Sequence, residues 1–314
     1  MALQPIKFKS KIVLAKVEAT EGTDAAPTGA LNAMLLTDVQ IQPMEGEDVS
    51  RNLELPHLGA QEEIATAIRV VLTGSFELVG SGTAGEAPAW GPLMRACAAA
   101  EIITPDTSVE YVPVSDDHEA VSIHFHIGPT RHVLLGAKGT GVISMNAQGI
   151  PVCRGTWTGL FVTPADQARP QVDLTAFQPP QVASKANTPV YTIDGISFIG
   201  RSYELNLGND VQPRLLFNAE QIVVVDRAEV LSMTVQAVPL ATYNPYSRAI
   251  ERTRTAIVIE HGTVAGRKVR IETPTAVQRR PAGIENQQGV VEWPLTFTPL
   301  PTDAGDDQWT ITLT

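Results

Sequence analysis

Short runs of alternating apolar and polar residues, interrupted at close intervals by glycine or proline, set the folds that this chain can adopt. Examples are IRVVLTGSFELVG, VSIHFHIG and TWTGLFVTP. A period of two places alternate side chains on opposite faces of a strand, so that one face is buried. The 24 glycines and 23 prolines among 314 residues favour strands and turns over helices. The sequence therefore predicts an all-β protein with a minor α component.

Two short helices are expected beside the strands. In AWGPLMRACAAAE, the residues Leu93, Met94, Cys97 and Ala100 fall at helical spacing. The second segment, TYNPYSRAIERT, has a proline where a helix begins. We predict one short flanking helix in each half of the chain.

Similar runs that contain a tryptophan indicate an internal duplication. Trp157 lies in TWTGLFVTP and Trp293 lies in VVEWPLTFTPL. Gly128 precedes the first tryptophan by 29 residues, and Gly262 precedes the second by 31. The order of the other predicted strands also repeats around these anchors. We therefore predict two tandem β-sandwich or partly open barrel domains.

The predicted domains occupy residues 34–166 and 191–314. A lysine-containing segment without periodicity, residues 1–33, is interpreted as an N-terminal arm. Residues 167–190 hold several prolines and little alternation, so they are interpreted as a semi-extended linker.

The charge of the chain argues against a surface built to bind phosphates, because its formal net charge is −11. Residues 34–166 carry six basic and sixteen acidic groups, whereas residues 191–314 carry eleven and fourteen. This asymmetry would let the acidic half of one copy face the more basic half of another. We expect head-to-tail self-association that closes into rings.

No run of about 18 apolar residues is present, and the first residues lack the apolar block of a signal peptide. We therefore expect no membrane partner and folding in a cytoplasm. Cys97 and Cys153 are then interpreted as small apolar residues of the core rather than as a disulfide.

The sequence contains no set of residues that indicates an enzyme. GSGTAG, residues 80–85, matches a dinucleotide-binding pattern but lacks the parallel strand and crossover helix that such a fold requires. His124 and His126 share one face of a strand, which we interpret as a solvent- or interface-facing edge rather than a metal site. Nucleophile elbows, metal motifs and paired CxxC motifs are absent. We expect no catalytic residue, no cofactor and no metal.

Three groups of charged residues are candidates for contacts between copies. The N-terminal arm supplies Lys7, Lys9, Lys11 and Lys16. A polar loop predicted between Pro43 and Glu63 supplies Glu45, Glu47, Asp48, Arg51 and His57. Of the basic groups Arg248, Arg252, Arg254, Arg267, Lys268, Arg270, Arg279 and Arg280, we assign Arg248, Arg252, Arg267 and Arg270 to a subunit interface.

Two segments resemble a known family. KIVLAKVEATEGTDAAPTGALNAMLLTDVQIQP and VVLTGSFELVGSGTAGEAPAWGPLMRACAAAE are similar to tail-tube proteins of siphophages, especially Mu-like transposable phages of proteobacteria. The resemblance is most specific over residues 11–101. It implies a virion protein, assembled in the host cytoplasm, whose stacked rings form the tail channel through which DNA passes.

The resemblance also implies partners and a stoichiometry. Expected partners are further copies of the chain, a tape measure protein, a tail terminator and baseplate or distal tail proteins, while DNA passes transiently and without specificity. Members of the family with two fused tube domains form trimers with pseudo-sixfold symmetry, whereas single-domain members form hexamers. The duplication favours trimers, and both stoichiometries stay open. The alternative is a receptor- or carbohydrate-binding β-sandwich module of a tail tip or fibre, which would expose aromatic platforms.

Overall fold

The computed structural model describes residues 5–314 and shows strands connected by turns, with two short helices. The prediction of an all-β fold with minor α content is confirmed. Residues 1–4 of the predicted N-terminal arm lie outside the described residues.

The first half, as described from residue 5 onward, contains nine strands and one helix. They are β1 (Lys11–Val17), β2 (Ala33–Met34), β3 (Thr37–Ser50), β4 (Glu63–Glu77), α1 (Gly91–Arg95), β5 (Ala99–Thr104), β6 (Ser108–Pro113), β7 (Val121–Ile127), β8 (Thr130–Asn146) and β9 (Val152–Asp166). All of their pairings are antiparallel, in the spatial order β3-β4-β9-β8-β7-β1-β2, with β5 and β6 as a separate hairpin.

The second half contains eleven strands and one helix. They are β10 (Val190–Ile193), β11 (Ile196–Ser197), β12 (Gly200–Asn206), β13 (Asn209–Leu216), β14 (Ala219–Arg227), β15 (Val230–Gln236), α2 (Pro245–Glu251), β16 (Arg254–His261), β17 (Val269–Gln278), β18 (Glu285–Gln287), β19 (Val290–Pro299) and β20 (Thr310–Leu313). β15 pairs with β12 and β19, and β17 pairs with β16, β19 and β20.

The same order of pairings occurs in both halves. A long hairpin (β3–β4; β12 to β15) precedes a helix, then a second hairpin (β7–β8; β16–β17), then a strand that returns to pair with the first hairpin. In that last pairing Trp157 lies opposite Leu72, and Trp293 lies opposite Val235. The two tryptophans therefore occupy corresponding positions.

Hydrogen bonds also cross between the halves. β8 pairs with β12, and β20 pairs with β6, so that one 18-stranded sheet contains strands of both halves. The buried apolar residues form one cluster that extends from Val13 to Leu313. The division into two domains at residues 167–190 stays a prediction. Those residues contain no helix and only the first residue of β10, and Ala183 exchanges backbone hydrogen bonds with the turn at Gln148 and Gly149.

The predicted N-terminal arm differs from the structure in one respect. β1 pairs with β7 along its whole length, because Val13, Leu14 and Ala15 are buried in the core. Residues 11–17 are therefore an internal strand of the sheet rather than part of an arm.

The first helix is shorter than predicted. α1 ends at Arg95, Ala98 adopts a positive φ of 54°, and Ala99 already begins β5. Cys97 and Ala100 thus lie outside the helix, because pairing of β5 with β6 replaces helical hydrogen bonds there. The prediction for α2 agrees with the structure, since Asn244 caps its N-terminus through hydrogen bonds from Tyr246 and Ser247.

Trp157 packs against glycine backbone in the centre of the first half. Its Nε1 donates a hydrogen bond to the carbonyl of Leu93, 3.0 Å away. A Cβ atom at Gly155 would lie 2.2 Å from the indole Cζ2, and one at Gly139 would lie 2.6 Å from Cδ1. The indole therefore occupies space that any other residue at these two positions would fill.

We predict that Gly155→Ala lowers the free energy of unfolding by about 1–3 kcal/mol, because the new methyl group overlaps the indole. The control is Gly59→Ala, where no atom lies within 4 Å of the added Cβ; its effect should stay within about 0.5 kcal/mol. Urea unfolding followed by tryptophan fluorescence measures both variants. Equal stabilities for the two would show that the indole moves aside without cost.

Candidate assembly surface

A two-stranded hairpin projects beyond the core of the first half. We call residues 43–66, the outer parts of β3 and β4 with their connecting loop, the hairpin arm. Val49 pairs with Ile64, and Ser50 pairs with Glu63, before the loop of residues 51–62 joins the strands. The loop predicted between Pro43 and Glu63 is therefore shorter, because β3 continues to Ser50.

Charged side chains occupy the strands of the arm as well as its loop. Glu45, Glu47 and Asp48 lie on β3, where Glu45 pairs with Arg69 of β4 at an Nη2–Oε1 distance of 2.6 Å. The strand tolerates these carboxylates because both of its faces are accessible to water along this segment. The alternation of apolar and polar residues did not predict this outer part of β3, because neither of its faces carries the apolar residues of a core-facing strand.

No residue of the hairpin arm is buried. The arm nevertheless carries large apolar side chains that are exposed, namely Met44, Val49, Leu53, Leu55, Leu58 and Ile64. Two-stranded hairpins without a core are marginally stable in water, and clustered exposed apolar side chains typically mark an interaction surface. The arm thus has the properties of a segment that is covered by another molecule.

Two hydrogen bonds between Leu53 and Gln61 close the loop at the tip of the arm. The backbone N–H of Leu53 donates to Oε1 of Gln61 at 2.6 Å, and Nε2 of Gln61 donates to the carbonyl of Leu53 at 2.5 Å. Arg51 and His57 are both fully on the surface of this loop. The leucines of the sequence NLELPHL alternate within a charged segment, and this was the signal by which the apolar tip could have been found.

The long strand of the arm also lies at an edge of the sheet. Among residues 5–314, β3 pairs with β4 alone. Backbone N–H and C=O groups on its other side are free to pair with a strand of another chain. The edge and the apolar arm are therefore adjacent parts of one surface.

The N-terminal lysines do not act as one group. Lys7 and Lys9 are exposed, as predicted for an arm. Lys11 donates to the carbonyl of Val39 at 2.5 Å, and its ammonium lies 3.8 Å from the ring centre of Phe8. Lys16 donates to the carbonyl of Ala25 at 3.0 Å. The contacts of Lys11 and Lys16 hold the two ends of β1 within its own subunit.

The four arginines assigned to an interface are also distributed differently from the prediction. Arg248 pairs with Asp194 at 2.5 Å and lies over the ring of Tyr243. Arg270 pairs with Glu260 and Glu272. Arg252 is exposed at the left-handed C-cap of α2, so it does not share a helical face with Arg248.

Arg267 completes this group and lies in the connection before β17, where it is half-buried. The four arginines therefore do not converge on one surface. Exposed Arg252 instead lies near Arg254 and Arg279, which line the same depression.

The interpretation of His124 and His126 as surface residues is wrong, since both side chains are buried. His124 Nε2 lies 2.9 Å from Oδ1 of Asp24, in the segment that covers this face of β7. Glu18 anchors that segment by accepting hydrogen bonds from Ser122 Oγ and from the N–H groups of Gly22 and Gly136. The covering residues lie about a hundred positions away in the sequence, which is why the strand pattern alone did not predict burial.

Neither the two cysteines nor the grouping of metal-binding side chains among residues 5–314 supports nucleophilic or metal chemistry. Burial raises the pKa of Cys97 to about 12 and also raises the pKa of Cys153, so neither thiol becomes a thiolate near neutral pH. Within residues 5–314, no three His, Cys, Asp or Glu side chains are grouped to hold a metal ion. In the same range, neither helix has the length and apolar character needed to cross a membrane.

Comparison with known proteins adds no identification. No protein-family model matches this chain, and no curated protein matches it.

The buried histidines predict a loss of stability in mild acid. Burial lowers the pKa of His124, His126, His132 and His261 below 6.5, and the pKa of His126 falls to about 4, helped by the positive charges of His124, Arg131 and Arg169. At pH values between the lowered pKa of the folded state and the ordinary pKa of 6.5, the unfolded chain binds protons that the folded chain does not. Stability is therefore complete above about pH 6.5 and decreases as the pH falls, by at most roughly 1.4 kcal/mol per pH unit for each histidine.

The test compares His126→Gln with the parent chain by urea unfolding at about pH 7 and about pH 5. Glutamine cannot be protonated, so the variant should lose less stability between the two pH values. His57→Gln, in the exposed loop of the arm, is the control and should leave the pH dependence unchanged. An unchanged pH dependence in His126→Gln would contradict the assignment.

Proposed function

We propose that this chain is a structural subunit of the tail tube of a phage with a long non-contractile tail. Copies associate into rings, and the rings stack around a channel for DNA. The observation that carries the proposal is the hairpin arm, which exposes six large apolar side chains and buries no residue within its own subunit.

Self-association is favourable because the arm has no buried residues and an unpaired strand edge within its own subunit. Burial of an exposed leucine stabilises by roughly 1.5–3 kcal/mol, so covering the arm is favourable once the cost of association is met. The free edge of β3 offers backbone hydrogen bonds at the same place. A partner that supplies both a strand and an apolar face satisfies these two requirements together.

The recurrence of strand pairings supports a ring of three chains. Each chain has two units with the same order of pairings, so three chains contribute six similar units to a ring with pseudo-sixfold symmetry. A hexamer of whole chains would place twelve such units in the ring. Symmetry in electron micrographs distinguishes the two stoichiometries.

The acidic charge of the chain fits the passage of DNA without retention. A net charge of −11 per subunit repels phosphates, so DNA moves through the channel without binding strongly. By resemblance, the proposed partners are a tape measure protein, a tail terminator and baseplate or distal tail proteins. The site of action is the virion tail, after assembly in the host cytoplasm.

Receptor or carbohydrate binding has weaker support, because all four tryptophans are buried. Trp90, Trp157, Trp293 and Trp309 lie in the core, so none of them forms an exposed platform for a sugar ring. Catalysis is likewise not part of the proposal, since the grouped polar residues serve to attach the N-terminal segment.

The test removes apolar side chains from the arm. Leu53→Ser/Leu58→Ser should weaken self-association by at least about tenfold while the chain stays folded, because these leucines are exposed in the free subunit and covered in the assembly. Sedimentation velocity over a range of concentrations measures the association. Negative-stain electron microscopy shows whether the assembled parent chain has a central channel.

The matched control is Leu31→Ser/Ile199→Ser, which removes two exposed apolar side chains outside the arm. It should assemble as the parent chain does. A compact closed oligomer without a channel, or equal assembly of the arm variant and the parent, would contradict the proposed function.

A further inference from the structure

We infer that the hairpin arm of one copy docks on a basic depression in the second half of another copy, at Arg252, Arg254 and Arg279. This inference rests on the proposed function, because it names the surface that receives the arm. We call the depression the arginine patch, and its lining residues are Glu251, Arg252, Arg254, Val277, Arg279, Thr298 and Leu300. Its volume is about 550 Å³.

Strand register brings the patch together. Arg254 of β16 lies opposite Val277 of β17, and Val277 lies opposite Thr298 of β19. Arg279 and Leu300 come directly after the ends of β17 and β19, two residues beyond Val277 and Thr298, and line the same depression. The patch is therefore one continuous outer surface across three neighbouring strands, with arginines at its rim and apolar side chains between them.

Among the described residues of the subunit, none of the three arginines forms a close ion pair, and Arg254 alone acts on a nearby carboxyl, because it contributes to the lowered pKa of Asp307. All three are exposed, and within residues 5–314 none of them lies at ion-pair distance from a carboxylate. The guanidinium of Arg279 donates to Oγ1 of Thr298, at 2.8 Å. Glu251 is the single carboxylate that lines the depression. Like charges held side by side repel, so the patch is stabilised when an anionic surface covers it.

The hairpin arm carries the complementary charge. Residues 43–66 contain six carboxylates and one arginine. Glu45 is paired with Arg69, whereas Glu47, Asp48 and Glu63 are exposed and have no ionic partner among the described residues. The exposed leucines of the arm also match Val277 and Leu300 in the floor of the patch. A nucleic acid would satisfy the arginines but leave this apolar floor uncovered.

The contacts of the β13–β14 hairpin also support docking of the arm on the arginine patch, and they do not depend on charge. The β13–β14 hairpin, which corresponds to the arm by its place in the strand order, packs on β8 and β9 of its own chain. The strands that correspond to β8 and β9 in the second half are β17 and β19, which contribute Val277 and Thr298 to the patch. The arm of another copy on β17 and β19 would thus repeat a contact that exists within the chain.

Site-specific crosslinking between whole chains tests the contact. One chain carries Ser50→Cys in the arm and the other carries Leu300→Cys in the patch, and a short bifunctional maleimide joins them. The native Cys97 and Cys153 are buried and do not compete. The control pair replaces Leu300→Cys by Thr104→Cys, an exposed position on β5. We expect the arm–patch pair to crosslink at least about tenfold more than the control pair.

Charge reversal then tests the chemistry. Arg252→Glu/Arg254→Glu/Arg279→Glu should lower the crosslinking yield at least about tenfold, and so should Glu47→Arg/Asp48→Arg/Glu63→Arg. Mixing a chain with the reversed patch and a chain with the reversed arm should restore the yield. Failure of this rescue, or an arm–patch yield equal to the control, would overturn the inference. The inference would also be overturned if reversing the patch abolished binding to a short DNA duplex but left the crosslinking yield unchanged.

The two proposals fail in different ways. If the leucine variant of the arm does not assemble while the patch-reversal variant assembles as the parent does, the arm docks elsewhere and only the further inference is wrong. If both variants assemble as the parent does, the arm is not an assembly element and the proposed function is contradicted as well.

Discussion

The hydrogen-bonded ladder of β8 is the interaction on which the rest of the molecule depends. This strand of 17 residues pairs along one side with β9. Along the other side it pairs with β7 up to Ala137 and then with β12 from Val142 to Asn146. Asn209 reinforces the change of partner, because its buried amide donates to the carbonyls of Cys97 and Gly139. Separating the halves would expose these groups, so their hydrogen bonds favour the joined arrangement of the two halves.

Part of this architecture could be predicted from the sequence. Alternating runs gave the principal strands, and the two similar runs around Trp157 and Trp293 placed these residues at corresponding buried positions. These features depend on local periodicity and on one-sided burial, which the residues themselves encode. The capped helix α2 belongs to the same class, since Asn244 and Pro245 are local signals.

The remaining features depend on partners that are distant in the sequence. α1 is short because β6 pairs with the residues that would have extended it. His124 is buried where the segment anchored by Glu18 brings Asp24 against it. The strands of the hairpin arm were missed for a different reason, since a ribbon that contacts no core needs no alternation. The arginine patch combines β16, β17 and β19, and its basic residues were visible in the sequence while their convergence was not.

The two long hairpins differ in a way that bears on assembly. The β13–β14 hairpin has a partner within the chain, since it packs on the first half and buries Ile222, and Arg227 donates to the carbonyl of Val114. The arm has no such partner. A chain of two similar units that packs the hairpin of its second unit on its first leaves the other hairpin, the arm, without a partner, and the exposed arginine patch is the face that we propose receives it. Those two surfaces are different from each other, so their contact is head-to-tail, and repeated head-to-tail contacts either close into a ring or extend as a filament. One such contact gives one of these outcomes, so in the proposed tube the arm would act either within a ring or between stacked rings, and a second contact would supply the other.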